Sequence, residues 1–224
     1  QLQKIWQLVS SGLAAVWAEE NTRESLFRAI KRREVYATSG TRIQLRFFGG
    51  WEFTQTDVMQ ADFASIGYRK GVPMGGDLNG HSDSGAPSFM VAASRDADGA
   101  NLDRIQIIKG WLDANGETQE QIYDVALSDG RSANWLGKIA PVGNTVDIAS
   151  ASYSNSIGAP ELTAVWTDPD FDPEQRAFYY ARVIQIPTPR WTAYDRKYFG
   201  AVIDPRAPDI IQDRAYSSPI WYTP

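Results

Sequence analysis

Apolar residues recur along the chain in two rhythms, and the change between them divides it. Leu13 to Trp17 is a short apolar run that exits into Ala18, Glu19 and Glu20, the pattern of a brief buried strand with carboxylates at its end. Asn21, with Glu24 three residues later, predicts a capping box: the Asn oxygen accepts from an early amide while Glu24 sits at the positive end of the helix dipole. The helix is expected to reach about Arg33, with Leu26, Phe27 and Ile30 as its buried stripe. Arg28, Lys31, Arg32 and Arg33 then crowd the end where cations meet the negative dipole. Val35 to Thr38 and Ile43 to Phe48 read as strands on either side of a Ser39-Gly40 turn. Gly12 to Arg46 is thus a strand, helix and strand of a mixed α/β layer. Upstream, Gln1 to Ser10 has the spacing of a short amphipathic helix.

Beyond Gly50 the helical rhythm fades. Trp51 to Pro87 reads as a loop-rich connection punctuated by Gly67, Gly71, Gly75, Gly76, Gly80 and Gly85. A period of two then takes over, with strands expected at Ser88 to Ser94, Arg104 to Trp111, Gln121 to Ser128, Thr145 to Tyr153, Leu162 to Thr167, Ala177 to Ile186 and Arg214 to Tyr222. Asp98-Gly99, Asn115-Gly116 and Asp129-Gly130 supply turns between them. Short strands broken by such turns predict an antiparallel β-sandwich. Pro187, Pro189, Pro205 and Pro208 exclude a central strand and predict an ordered excursion packed by its own aromatics over 187–212. The expected organisation is mainly β: α/β elements over 1–50, connecting loops over 51–86 and a sandwich over 87–224.

Composition narrows the chemistry. Apolar residues make up 43% of 224 and aromatics 12%, which describes a folded chain able to bury a core. A formal charge of -5 offers no basic field for phosphate backbones, so nucleic acid is not an expected partner. There is no cysteine, which excludes disulfides, thiolate metal sites and a thiol nucleophile. No apolar run has the length of a membrane span. No initiator Met or signal peptide stands at Gln1, and with an opening in mid-pattern this predicts a truncated or processed chain.

Candidate sites follow from residue type and spacing. Asp83-Ser84-Gly85 has the look of a nucleophile segment, but the single histidine, His81, is three residues away and a triad needs a base brought in from elsewhere. Asp77, Asn79, His81 and Asp83 alternate along a glycine-rich loop without the later bidentate Glu of a complete calcium loop, so a solvated turn is the alternative. Asp168, Asp170 and Asp172 in TDPDFDP are cation candidates whose alternative role is to cap turns stiffened by Pro169 and Pro173. Glu19, Glu20, Arg23, Tyr36 and Thr38 fall at strand ends and the following loop, where α/β folds place chemistry; helix capping and surface ion pairing are the structural alternative.

The stretches WAEENTRESLFRAIKRREVYATSGTRI, RFFGGWEF, GVPMGGDL, LDRIQIIKGW, VWTDPDFDPEQRAFYYARV, IPTPRW and AYSSPIWYTP, in that order, resemble the C-terminal part of the domain-of-unknown-function 3604 family over nearly all of Ser11 to Pro224. That family is similar to metal-dependent hydrolases of the polymerase-and-histidinol-phosphatase type, with a distorted β/α barrel that binds divalent ions through His, Asp and Glu. The resemblance implies that Leu13 to Ile43 are the last elements of such a barrel and Pro87 to Pro224 an appended sandwich. It also implies a divalent metal for the parent but no cofactor in this chain, since none of the family's metal-binding His is matched. A periplasmic or secreted location is implied as well.

The expected function is then a structural and substrate-enclosing region of a (phospho)ester hydrolase, not catalytic by itself. Glu19, Glu20, Arg23, Tyr36 and Thr38 would approach the metal centre, and Arg190 with Trp191 would form part of the rim. The expected partner is the absent barrel region, or a second copy, docking on an exposed apolar patch around Leu13, Val16, Leu26 and Phe27. The alternative is a binding module for carbohydrate or a protein partner that uses exposed Trp51, Trp111, Trp135 and Trp191.

Overall fold

The computed structural model describes residues 12–80 and 85–224. Strand β1 (Leu13–Val16) leads through α1 (Arg23–Lys31) into β2 (Val35–Thr38) and β3 (Gln44–Gly50). The supposed loop region then forms α2 (Gln55–Val58), α3 (Phe63–Lys70), β4 (Gly71–Pro73) and β5 (Asp77–Asn79). Next come the long strands β6 (Ser88–Ser94), β7 (Leu102–Leu112), β8 (Thr118–Leu127), β9 (Glu161–Thr167) and β10 (Ala177–Gln185). The excursion holds β11 (Thr188–Pro189), α4 (Trp191–Phe199) and β12 (Ile210–Ile211), and β13 (Arg214–Ser217) and β14 (Ile220–Thr223) close the chain.

Among the described residues the architecture is mainly β, with antiparallel sheets and no closed barrel, as the alternating pattern predicts. In the larger, eight-stranded sheet β10 is central: β7 and then β8 lie on one side, and β13 and β14 lie end to end along the other. Beyond β13 come β2 and β1, while β5 adds parallel to β14. The smaller sheet runs β4-β3-β6-β9, antiparallel throughout.

Alternation along the strands builds the core between these sheets. Leu45, Phe47, Phe89 and Val91 of the smaller sheet meet Ile105, Ile107, Tyr179 and Ala181 of the larger, all buried. Phe47 and Phe89 stack at 5.6 Å, and Phe89 lies 4.4 Å from Tyr179. The opposite face of the smaller sheet is also covered: Phe48 and Met90 pack with Phe53, Val58 and Phe63 of the α2–α3 region. Strand β6 is therefore buried on both faces, which explains its unbroken apolar run. The core gathers residues from Tyr36 to Tyr222.

Several local expectations need correction. A β/α barrel is built of parallel strands, whereas β1 and β2 pair antiparallel and β2 joins β13 in the larger sheet. Among the described residues these elements belong to the sandwich, and no barrel remnant is seen. The cap of α1 is Thr22 in place of Asn21, its hydroxyl accepting from the Ser25 amide at 3.3 Å. The helix buries the small residues Ser25 and Ala29 and leaves Phe27 and Ile30 in solvent, because small side chains allow the closer approach. Thr145 to Tyr153 is not a strand: Asp147 caps the Ala149 amide at 3.0 Å and pairs with Ser152 as an isolated bridge. Arg214 to Tyr222 is interrupted at Ser218 and Pro219, as a proline without a ladder donor requires. The helix expected at Gln1 to Ser10 lies outside the described residues.

Candidate functional site

A cleft of about 610 Å³ opens beside the exit of β1, lined by Trp17, Glu19, Arg32, Glu34, Arg46 and Tyr68. Its construction begins with Trp17, held by its own amide on the Glu34 carbonyl at 3.1 Å and by its indole N–H on the Leu45 carbonyl at 2.8 Å. The fixed indole supports the Arg46 guanidinium, whose Cζ lies 3.6 Å from the ring centre. Arg46 donates to the Tyr68 hydroxyl at 3.0 Å, and Tyr68 donates in turn to Glu34. Arg32 donates to the other Glu34 oxygen at 3.2 Å.

Glu34 is the hub of this arrangement. Its side chain is only 2% exposed, and a buried carboxylate persists when charged donors and hydrogen bonds replace its water. Here two guanidiniums and a phenol do so, with Arg46 at 3.8 Å. Burial pushes the Tyr68 phenol up, and its bond to Glu34 pushes it further in the same direction, so the phenol stays protonated and donating. With both oxygens engaged, Glu34 holds the arginines in place. What faces the opening is a pair of planar cations with fixed orientation, with the exposed Glu19 at the rim. Such planar donors match the paired oxygens of a carboxylate or phosphate.

Of the residues singled out in the sequence, Glu19 alone lines this cleft. Glu20 and Arg23 are exposed where the chain enters α1, with the Glu20 amide donating to the Ser25 hydroxyl at 3.2 Å. Tyr36 lies in the core with its ring 6.2 Å from Trp17, and burial raises its phenol. Thr38 is buried, its hydroxyl accepting from the Gly40 amide at 3.3 Å to shape the turn. Arg190 and Trp191 start α4 elsewhere. Arg190 is buried, its amide on the Asp209 carbonyl and its guanidinium 5.2 Å from the Trp191 ring, so it does not stand at an open rim.

The acidic run is drawn into a different structure. Asp168 is buried and accepts from Lys109 at 2.7 Å, from the Tyr179 hydroxyl at 2.7 Å and from the Asp170 amide at 3.0 Å. Lys109 also donates to the Asp170 carbonyl, while the Asp170 carboxylate accepts from Tyr123 at 2.9 Å. Asp172 caps the Glu174 amide at 3.0 Å. Turn capping and one internal ion pair thus account for Asp168, Asp170 and Asp172. Asp77 is engaged by Arg33 at 2.8 Å, and His81, Asp83 and Ser84 lie outside the described residues. Among the described residues no group of three His, Cys, Asp or Glu is placed to hold a metal. They do not fit the divalent ion that the resemblance implies.

The aromatic candidates separate too. Trp51 packs edge-on against Phe171 and Tyr222, Trp111 packs on the core, and Trp191 is half-buried; Trp135 is 90% exposed. They form no common platform. No described helix is long and apolar enough to cross a membrane.

The fold and cleft define a mainly β, sandwich-type protein with an arginine-lined opening at one edge. The chain belongs to the family described as "Protein of unknown function (DUF3604)", which it matches over residues 1–224, the first ten included. Neither the curated proteins nor the solved structures contain a significant match.

In the sequence Arg32 belongs to the basic cluster of a helix end, and Glu34, Arg46 and Tyr68 carry no site pattern of their own. The usable signal was phase: Arg46 is the charged residue in a stretch of strand, Leu45 to Gly50, whose other residues are all buried.

Proposed function

We propose that this chain is a structural, substrate-enclosing region of a metal-dependent (phospho)ester hydrolase, and that the Arg32–Arg46 cleft is where it meets the substrate. The metal-hydrolase part of this reading comes from the family resemblance. The observation that supports the site is the buried Glu34, which fixes two guanidiniums at the one opening that Glu19 also lines. Oriented cations of this kind hold an anionic ester by paired hydrogen bonds without themselves breaking a bond. Catalytic groups would then come from the barrel region that the resemblance implies. Leu13, Phe27 and Ile30, exposed on the same unit, offer that region an apolar face.

Titration calorimetry with phenyl phosphate provides the test. The chain should bind it weakly, and Arg32→Ala should lower the affinity by roughly tenfold, the effect of losing one charge-assisted pair. Absence of binding, or equal binding by the variant, would sink the site. In parallel, the chain supplied with manganese or zinc should not hydrolyse a generic phosphodiester above background. Turnover that His81→Ala abolishes would overturn the non-catalytic reading.

A further inference from the structure

The outer face of the larger sheet carries a second opening, of about 620 Å³, remote in sequence from the arginine cleft. Strand partners share a face, so the register settles which side chains point into it. Phe178 pairs with Trp221 on one side and Gly110 on the other, and Gly110 pairs with Glu120. Tyr179 and Lys109 in the alternate phase point into the core, so this row points outward. One step along, Leu112 pairs with Thr118, beside Arg176 where β10 begins.

Gly110 makes the groove. A Cβ there would lie 2.3 Å from the Phe178 ring, so only glycine lets that ring lie across β7. Trp221, 42% exposed, stands with its ring centre 5.3 Å from Phe178. The aromatic row continues with Tyr180, nearly parallel to Phe178 at 6.4 Å, and Tyr216, 6.4 Å further. Polar side chains of opposite sign, Glu120 and Arg176, line the same groove.

We propose that this groove binds a neutral oligosaccharide, stacked on Trp221 and Phe178 and hydrogen-bonded by Glu120 and Arg176. The mixed lining argues for this ligand. An acyl chain would strip water from a carboxylate and a guanidinium and return no hydrogen bonds. A peptide adding as a strand hydrogen-bonds along a sheet edge, whereas the side chains that line this groove project from the face of β14, β10, β7 and β8. A sugar offers apolar C–H surfaces to the rings and hydroxyls that both donate and accept, which suits a groove lined by both a carboxylate and a guanidinium. Their opposite charges cancel, which favours an uncharged ligand. The proposal is independent of the hydrolase reading, because the two openings share no residue.

Native electrophoresis of the chain through gels containing mixed-linkage β-glucan, xyloglucan or galactomannan tests it, followed by calorimetry with oligosaccharides of whichever polymer retards it. Retardation is expected on at least one polymer. Trp221→Ala should weaken binding about tenfold and Trp221→Tyr much less, as expected for a lost stacking surface. Glu120→Ala, at an exposed position where folding is not at stake, should weaken it too, while Trp135→Ala should leave it unchanged. No retardation on any of the three polymers overturns the proposal. Unaltered binding by both Trp221→Ala and Glu120→Ala does so as well, and so does a concentration-dependent dimer that Trp221→Ala dissolves. Arg32→Ala should bind sugar normally, which separates this site from the cleft.

Discussion

A carboxylate shut away from water must find its hydrogen bonds within the protein, and Asp168 finds three, from Lys109, Tyr179 and the Asp170 amide. Both partners of the ion pair are almost fully buried, the lysine side chain 3% exposed and the aspartate 0%. Pairs of this kind contribute little net stability, since attraction is offset by lost hydration, yet removing one partner strands the other charge. Lys109→Met alone should therefore cost about 3–5 kcal/mol. The double variant Lys109→Met, Asp168→Leu should be clearly more stable than that single variant. Urea unfolding of both proteins decides the matter, and a double variant no better than the single would show that the pair contributes more than burial of equal volume. The sequence displayed only half of this arrangement. TDPDFDP shows a carboxylate spacing and invites a cation, whereas the cation that answers is 59 residues away on β7. A clue was nevertheless present: Ile105, Ile107 and Lys109 share the core-facing phase of one strand, and a lysine in that phase needs a buried acceptor.

Elements with a strong period were legible, and those defined by packing were not. β2 and β6 have the predicted bounds, and β9 and β10 differ by a residue at one end. The α2–α3 layer was missed because α2 spans four residues and α3 eight, too short for a helical period, and because Gly67 reads as a breaker. In the fold that glycine has a packing purpose. A Cβ at Gly67 would come within 2.6 Å of the Phe48 ring, so glycine lets α3 lie close against β3. Helix propensity and packing then make opposite predictions for Gly67→Ala: propensity alone gives a gain of about 1 kcal/mol, whereas overpacking costs typically about 1–3 kcal/mol. The clash involves a ring that is 1% exposed and has little room to move, so packing should win and the variant should unfold at lower urea. A stabilised variant would mean that α3 shifts freely on the sheet. The candidate cleft was illegible for a related reason: Trp17, Glu34, Arg46 and Tyr68 come from four separate elements or loops, and only the sandwich brings them together.

At the scale of the whole molecule, tyrosines set a limit on the conditions under which the fold persists. Burial is the largest cause of the raised phenols at Tyr36, Tyr68, Tyr123, Tyr153, Tyr179, Tyr180 and Tyr222, and they are spread over the larger sheet, α3 and the loop before β9. At Tyr179 the Asp168 charge and the hydrogen bond to it add to burial in the same direction. The folded state therefore holds these protons more tightly than the unfolded chain, whose phenols titrate near pH ~10. Below that pH both states are protonated and stability does not depend on these groups. Above it the unfolded chain releases protons that the folded one keeps, so unfolding becomes progressively easier. Asp57 works in the opposite sense: its bond to Lys70 holds the carboxyl below the usual range, giving stability that is lost as acid protonates it. With seven raised phenols against three lowered carboxyls, Asp57 and the loop residues Asp113 and Asp147, whose hydrogen-bonded turns hold them down in the same way, the alkaline loss should be the steeper. Melting temperature measured from neutral pH upward should stay level to about pH 9 and then fall. Tyr179→Phe removes the phenol with the most reasons to stay protonated. That variant should be less stable at neutral pH, where Asp168 loses a donor, and should decline less steeply above pH ~10. A decline unchanged in Tyr179→Phe would locate the alkaline sensitivity in the other six tyrosines and remove the Asp168 cluster from its cause.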